Sequence, residues 1–382
     1  MTLTLAATPR STVYREGTAS LYRFRRAKSP SGAQPMAEAG VPILVVPSMI
    51  NRWYVVDLRP NYSLIEALTE SGRDVYCLDW GVPNDEDRYL EWEDVLKRLA
   101  RAVRRIRRLR SEHSSLQSEH SSLQSEHSSL QSEHSSLQSE HSSLQSEHSS
   151  LQSEHSKGAD KVVLMGYCMG GVLSAIHSAL QPDTVAGLIN LLGPIDFSRG
   201  GALRTMVDER WFDPEAMTAL GNLPAAQMQS GLVALRPTLD LVHWVRLVDT
   251  WHEPGALEGF GAMEAWTRDN VPIPGRAYVR YIRELYQQNR LFKGTHRVGG
   301  RTVDLSRITC PVLTVTASSD SICPHDAAVA LNVCVGSSDT EILTVPGGHV
   351  GAVVGDDAAA VLYPGVIDWL ARRFSLGLAA AA

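Results

Sequence analysis

The sequence predicts an α/β fold: a doubly wound, mostly parallel β-sheet with a helical cap inserted between two of its strands. Short apolar segments of strand length alternate along the chain with segments of helical periodicity. Strands that are apolar throughout are typical of parallel sheets covered by helices on both faces. The alternation stops over residues 197–300, which hold four of the eight tryptophans. This interruption predicts the cap.

The order of the elements follows from apolar periodicity and turn residues. Strands are expected at residues 43–47, 74–79, 161–166 and 185–192 before the cap, and at 311–317 and 341–345 after it. Helices are expected at residues 62–71, 90–110, 170–180 and 358–374, with one more beginning at His325. The core is therefore assigned to residues 41–196 and 301–376, the cap to residues 197–300, and an N-terminal segment to residues 1–40.

A perfect heptad repeat, residues 111–156, interrupts the core. SEHSSLQ occurs six times and is followed by SEHS. One leucine per heptad is half the number of apolar positions that a coiled coil uses, and three serines per heptad weaken helix propensity. We predict a solvated insertion, helical or disordered, on the flank of the sheet away from the carboxyl ends of the strands; a partner-binding or pH-sensitive helix is the alternative. Its removal is expected to leave catalysis intact.

Composition excludes several classes of protein. The net charge is −6, and removing the seven glutamates of the repeat turns it to +1, which argues against a strongly basic nucleic-acid-binding protein. Five scattered cysteines without a CxxC pair favour neither a disulfide framework nor a structural zinc site. The first ten residues lack the features of a secretory signal, and the apolar runs are too short to span a membrane. A cytoplasmic protein with reduced thiols is predicted.

The predicted helix at 90–110 has one apolar face and one face rich in arginine. The arginines are Arg98, Arg101, Arg104, Arg105, Arg107, Arg108 and Arg110. The simpler interpretation is a solvated helix face, and the alternative is a docking surface for an acidic partner.

The strongest chemical signal is the sequence Gly-Tyr-Cys-Met-Gly at residues 166–170, between a predicted strand and a predicted helix. Gly-x-Cys-x-Gly in this place is the pattern of a nucleophile elbow, with Cys168 where a serine is commonest. The glycines allow a tight turn that exposes the thiol, and the helix N-terminus favours a thiolate. A buried structural cysteine near a tight turn is the alternative.

An elbow of this kind needs an acid and then a histidine later in the chain. Asp320 follows the predicted strand at 311–317, and His349 follows the predicted strand at 341–345. Because the carboxyl ends of parallel strands meet at one edge of a sheet, we expect both to lie near Cys168. The alternatives are Asp326 for the acid and His177 or His325 for the base.

An oxyanion hole should complete the site. The backbone amide of Met169 is predicted as one donor. A second is expected from the loop after the first predicted strand, from the amide of Met49 or Ile50. A thiolate that exchanges with a thioester forms another thioester and keeps the acyl group activated, so the cysteine favours acyl transfer over hydrolysis.

These segments resemble the catalytic subunit of the two-subunit polyhydroxyalkanoate synthases of the α/β-hydrolase superfamily, the type usually called class III, with class IV close by. The similarity covers most of residues 40–370 except the repeat. It is carried by VPSMINRWYVVDL (46–58), DVYCLDWG (74–81), the GYCMGG elbow, WTRDNVPIPG (266–275), LYQQN (285–289) and the segments around Asp320 and His349. Two departures are Ser321, where the family often has a histidine after the acid, and the repeat itself.

The resemblance implies a polymerase that joins 3-hydroxyacyl-CoA units, releases CoA and holds the growing chain on Cys168 as a thioester. His349 would deprotonate Cys168, the attacking hydroxyl, or both; Asp320 would orient His349 or help to activate that hydroxyl. It further implies no metal and no cofactor besides the CoA thioester substrate, a second synthase subunit, and a cytoplasmic location at the surface of polyester granules. The alternatives are a cysteine-elbow hydrolase, such as an intracellular polyester depolymerase or a thioesterase, and a non-catalytic granule-associated scaffold.

Overall fold

An eight-stranded β-sheet organises the protein. The computed structural model describes residues 3–26, 40–132, 161–235, 248–249, 251–252 and 255–374. The strands are β1 (Arg10–Glu16), β2 (Ala19–Phe24), β3 (Ile43–Val46), β4 (Val75–Asp79), β5 (Val162–Tyr167), β6 (Val185–Leu191), β7 (Val312–Ala317) and β8 (Thr340–Val345). Their order across the sheet is β1-β2-β4-β3-β5-β6-β7-β8.

The six strands from β3 to β8 are parallel to one another, and β1 and β2 are antiparallel to their neighbours. Every residue of β3, β4, β5 and β7 is buried, because helices cover both faces of the sheet. The α/β-hydrolase-type, mostly parallel sheet that the sequence predicts is confirmed.

The two N-terminal strands are elements that the sequence analysis missed. They lie within the segment 1–40, and β2 joins β4, so they extend the sheet by two antiparallel strands. A buried carboxylate fastens this segment to the core: the hydroxyl of Thr8 donates to Asp57 at 2.7 Å, and that of Ser63 donates to the same carboxylate at 2.6 Å. Burial raises the pKa of Asp57, and these hydrogen bonds oppose that rise.

The helices of the core are α1 (Leu64–Glu70), α2 (Trp92–Ser132), α3 (Met169–Leu180), α9 (His325–Cys334), α10 (Gly351–Val354) and α11 (Tyr363–Arg373). The helices of the cap are α4 (Gly201–Met206), α5 (Pro214–Met217), α6 (Ala225–Leu235), α7 (Ala256–Arg268) and α8 (Gly275–Arg280), and a π-helical segment, Tyr281–Gln287, continues α8. The helix predicted at 62–71 begins only at Leu64, because Tyr62–Ser63 pairs as a short strand with Asp57–Arg59.

Arginines of α2 attach this helix to the edge of the sheet. Arg101 forms an ion pair with Glu16 of β1, and Arg98 approaches both Glu16 and Asp87. The Nε of Arg105 donates to the backbone oxygen of Val13 at 3.4 Å. Part of the arginine-rich face is therefore an internal contact with β1, while Arg104 and Arg108 are exposed.

The helix α2 continues beyond the predicted end at residue 110 and includes residues 111–132 of the repeat. Residues 133–156 of the repeat lie outside the described residues. Within the part of α2 whose side chains are described, packing against the core ends at Leu109, and Ser111 and Glu112 are exposed. After the insertion, the chain enters β5 at Val162, the end of the strand opposite Cys168.

We expect deletion of residues 111–152, six whole heptads, to leave the free energy of unfolding of the protein unchanged, because core packing by the described side chains of α2 ends before the repeat. Ile106, fully buried on the same helix, is the contrasting position: Ile106→Ala should lower the free energy of unfolding by about 2–5 kcal/mol. Chemical denaturation of both variants makes the measurement. Equal destabilisation by the two changes would show that the repeat packs against the core.

Candidate active site

Cys168 occupies the turn between β5 and α3 in a backbone conformation that is rare for a residue with a side chain. Its φ is 55° and its ψ is −121°. Its amide donates to the oxygen of Leu191 at 2.8 Å, and its own oxygen accepts from the amide of Gly171 at 2.9 Å. These bonds at both ends of the residue hold the strained turn in place.

The two glycines of the elbow are required by close backbone contacts. A Cβ atom added to Gly170 would lie 1.8 Å from the backbone oxygen of Val46, and one added to Gly166 would lie 2.2 Å from the backbone oxygen of Gly170. No side chain fits at such distances. Because Gly166 and Gly170 have no side chains, α3 can start directly against the ends of β3 and β5, with Cys168 at the tip of the turn.

Asp320 and His349 lie after β7 and β8 and form a buried pair. The Nδ1 of His349 is 2.7 Å from the Oδ2 of Asp320, whose side chain is 0% exposed. The other carboxylate oxygen accepts from the amides of Ile322 at 2.8 Å and Cys323 at 2.9 Å. Both oxygens of Asp320 are thus engaged with groups of its own loop and with the imidazole.

The second ring nitrogen of His349 belongs to the cavity that also contains Cys168. In the described part of the chain this buried Nε2 has no hydrogen-bond partner. The ring of Tyr167, next to Cys168 in the chain, lies against the imidazole with 5.4 Å between the ring centroids. The hydroxyl of Tyr167 donates to the backbone oxygen of His349 at 3.4 Å. Tyr167 thereby fixes the ring from one side and Asp320 from the other.

The charges of this cluster favour a protonated imidazole. Burial alone would lower the pKa of His349, but the charges of Cys168 and Asp320, together with the hydrogen bond to Asp320, raise this pKa to about 10. A cysteine that shares one cavity with an imidazole oriented by a carboxylate is an arrangement suited to covalent acyl transfer.

The alternative acid and bases lie elsewhere. The side chain of Asp326 is 62% exposed and forms an ion pair with Arg199 at 2.7 Å. His177 is buried beside Thr184, and burial lowers its pKa to about 4. The Nδ1 of His325 lies 3.2 Å from the hydroxyl of Thr316. Among the described residues that line the cavity at Cys168, none of these three occurs.

The cavity has a volume of 390 Å³ and lies between the elbow and the cap. Its lining is mainly apolar, and four helices of the cap, α4 to α7, each contribute one methionine: Met206, Met217, Met228 and Met263. Thioether side chains are flexible and polarisable, so such a lining adapts to acyl groups of different shape. The volume is in the range of cavities that bind small organic ligands.

Two tyrosines of the cavity were missed by the sequence analysis. Tyr281 and Tyr286 lie at the two ends of the π-helical segment, and both border the cavity. Burial is the main reason why the pKa of each hydroxyl lies well above its usual value, and the charge of Cys168 adds to it. The local sequence pattern could not identify these two tyrosines. Residues five positions apart lie on the same side of a helix only where the helix has the wider turn of a π-helix.

The predicted oxyanion donors lie close to the elbow but are not equivalent. Met169 is the first residue of α3. The amide of Ile50 donates to the hydroxyl oxygen of Ser48 at 3.3 Å, so it is engaged within its loop. Among the described residues, the amides of Met49 and Met169 meet no acceptor. These two amides therefore stay our predicted donors, with Ile50 the weaker choice.

The described ranges contain no group of three or more histidine, cysteine, aspartate or glutamate side chains placed to hold a metal ion. They also contain no helix with the length and apolar character needed to cross a membrane.

The raised pKa of His349 can be measured. Because it lies above the 6.5 of an ordinary histidine, protonated His349 contributes stability that is complete below pH 6.5 and is lost as the pH rises through about 10. We expect Cys168→Ala to lower the midpoint of the imidazole titration, followed by NMR of ¹⁵N-labelled histidine, because the thiolate charge is removed while burial remains. Cys334→Ala, a half-buried cysteine of α9, is the control. An unchanged midpoint in Cys168→Ala would show that Cys168 does not contribute to the raised pKa of His349.

Comparison with known proteins agrees with this geometry. Residues 41–356 match the sequence profile of the α/β hydrolase fold, and residues 2–68 match that of the poly-β-hydroxybutyrate polymerase (PhaC) N-terminus. A solved structure of a lipase candidate from Sulfolobus solfataricus superimposes with a TM-score of 0.50 at 14% identity, covering 95% of this chain and 99% of that one. At that identity, the likeness concerns the fold alone.

Curated relatives are more similar in sequence. The poly(3-hydroxyalkanoate) polymerase subunit PhaC of Allochromatium vinosum is 31% identical over 96% of this chain and 89% of its own length. The protein of the same name from Haloferax mediterranei is 30% identical over 98% of this chain, which spans 66% of that relative. Because the similarity extends over nearly the whole chain, this protein belongs to the poly(3-hydroxyalkanoate) polymerase PhaC family of the α/β hydrolase fold.

Proposed function

We propose that this protein polymerises 3-hydroxyacyl-CoA and that Cys168 carries the acyl chain as a thioester. The observation on which this rests is the thiol of Cys168 at a strained elbow, in one cavity with His349, whose imidazole is paired with the buried Asp320. Membership of the polymerase family supports the reaction class. The chemistry uses the side chains of the chain and the CoA thioester, without a metal or further cofactor.

The first half of the proposed reaction loads the enzyme. The thiolate of Cys168 attacks the carbonyl carbon of the thioester, and the amides of Met169 and Met49 stabilise the oxyanion that forms. The carbon–sulfur bond to CoA then breaks, and the departing thiolate takes the proton of the His349 imidazolium. The products are free CoA and an acyl group on Cys168. Since one thioester replaces another, the acyl group stays activated.

The second half extends the chain. Neutral His349 accepts the proton of a 3-hydroxyl group, whose oxygen attacks the carbonyl carbon of the thioester on Cys168. An ester bond forms between this oxygen and the carbonyl carbon. The bond between the same carbon and the sulfur of Cys168 breaks, and the thiolate–imidazolium pair is restored. The apolar lining of the cap favours an alcohol over water as the attacking group, because it limits the access of solvent.

Asp320 acts through His349 in this proposal. Its carboxylate is fully buried, and its oxygens are occupied by the imidazole and by two amides of its own loop. It is also absent from the described lining of the cavity. Direct activation of the incoming hydroxyl would need an oxygen of Asp320 in the cavity, so the contacts favour the orienting role over that alternative.

The proposal includes two partners. The relatives are named as polymerase subunits, which supports a second subunit for this chain too, and the exposed Arg104 and Arg108 are where an acidic partner could bind. We further propose that the protein acts in the cytoplasm at the surface of polyester granules. Large apolar side chains exposed on the cap suit contact with a polyester: Trp211, Leu220, Trp251 and Leu257.

We expect Cys168→Ala to abolish CoA release from 3-hydroxybutyryl-CoA while the protein stays folded, because no other group on this path forms the covalent intermediate. Cys334→Ala, which is half-buried like Cys168 but lies on α9, should keep wild-type activity. The measurement follows CoA release together with turbidity, with and without a candidate second subunit. CoA release with free 3-hydroxy acid instead of polymer would identify a hydrolase, and absence of thiol-dependent turnover in the wild type would support a scaffold.

Asp320→Asn tests the division of roles. If the carboxylate only orients and stabilises the imidazolium, acylation of Cys168 and chain elongation should lose rate by a similar factor, about 10²–10⁴-fold. Single-turnover acylation is measured beside steady-state polymer growth. If instead elongation falls far more than acylation and acylated enzyme with short chains accumulates, Asp320 also helps to activate the hydroxyl.

A further inference from the structure

Hydrogen bonds join the cap to the loop that follows β3. We name residues 266–271 the cap strap and residues 48–54 the oxyanion loop. The bonds are Trp266 Nε1 to the oxygen of Arg52 at 3.0 Å, Val271 N to the oxygen of Ile50 at 3.3 Å, Tyr54 Oη to Asp269 Oδ2 at 2.7 Å, and Asn51 Nδ2 to Asn270 Oδ1. A cap that served only as a cover would not need this dense attachment to one catalytic loop.

Asn270 stands at the centre of this attachment because it bonds in two directions. Its oxygen accepts from Asn51 of the oxyanion loop. Its amide nitrogen donates to the side-chain oxygen of Gln229 on α6 and to the backbone oxygen of Thr267 at 2.9 Å. Asn51 and Gln229 both line the cavity at Cys168. The side chain of Asn270 therefore links a wall of the cavity on the cap to a wall on the core.

The bonds of the strap restrict the peptide groups next to Met49. The oxygen of Ile50 accepts from Val271, and the amide of Ile50 is held by the hydroxyl of Ser48. The preceding residues rest on the elbow, since a Cβ at Gly170 would meet the oxygens of Val46 and Pro47 at 1.8 and 2.8 Å. The orientation of the Met49 amide relative to Cys168 thus depends on contacts at both ends of the loop, the elbow and the strap.

We infer that Asn270 is a positioning residue that holds the oxyanion loop against the elbow, so that α6 of the cap sets the geometry of the second oxyanion donor. The inference rests on the proposed role of Cys168 as the nucleophile. Asn270 suits this place because it offers both an acceptor to Asn51 and a donor to Gln229. An aspartate keeps the acceptor and loses the donor, and an alanine loses both.

The test separates stabilisation of the oxyanion from reactivity of the thiol. Acylation of Cys168 by 3-hydroxybutyryl-CoA in a single turnover needs the oxyanion hole; alkylation of the same thiol by iodoacetamide does not. For Asn270→Ala we expect acylation to slow by about 10²-fold, the effect of a displacement near 1 Å, while alkylation stays within a factor of about two. Gln229→Ala, which breaks only the link to α6, should slow acylation by a smaller factor.

Ser230→Ala is the matched control, since Ser230 also lies on α6 but is exposed and lies outside both the described lining of the cavity and the chain of amide side chains. It should leave both rates unchanged. Unchanged acylation in Asn270→Ala would overturn the inference, and so would a parallel loss of acylation and alkylation, which would mean that the thiol itself has been displaced. If Asn270→Ala does not fold, Gln229→Ala decides the question: wild-type acylation in that variant overturns the role of α6.

The same experiment distinguishes this inference from the proposed function. If CoA release continues after complete alkylation of Cys168, the proposed nucleophile is wrong and Asn270 has no oxyanion to serve. If alkylation stops CoA release but Asn270→Ala acylates at the wild-type rate, the nucleophile stands and only the positioning role is wrong.

Discussion

The architecture of the site depends on one close contact, the approach of the first turn of α3 to the end of β3 at Gly170. With only 1.8 Å available for a Cβ atom, the backbones of the two elements touch directly. This contact forces the sharp turn at Cys168, and it brings the loop after β3 beside the N-terminus of α3. One steric constraint therefore places both the proposed nucleophile and the backbone amides proposed to stabilise the oxyanion.

Burial then determines how the charged groups behave. The carboxylate of Asp320 lies out of solvent, where an unpaired charge is costly, and two amides together with the imidazole compensate it. The imidazolium of His349 interacts favourably with this carboxylate and with Cys168. These interactions outweigh the cost of removing the imidazolium from solvent. The carboxylate of Asp320 and the imidazolium of His349 stabilise each other, so loss of either one removes the closest charged partner of the other.

The parallel strands could be predicted, and so could the positions of Cys168, Asp320 and His349 after strands, because the signals are local: apolar runs, glycine spacing and placement after strands. The edge strand β1 could not, since Arg10–Glu16 mixes charged and apolar residues on a half-exposed edge. Asn270 could not either. Its bond with Asn51 joins residues 219 positions apart, and its function as a link exists only once the cap has packed against the core.

The place of the insertion explains how the fold tolerates a repeat of this length. Among the described side chains of α2, apolar packing against the core ends at Leu109, and the next strand, β5, begins at Val162, six residues along the chain from Cys168. At about 3.3 Å per residue, Val162 lies about 20 Å along the strand from Cys168. The insertion therefore joins β5 at the end of the strand opposite the thiol. We therefore expect the elbow, the cap strap and the oxyanion loop to keep their positions when the number of heptads changes.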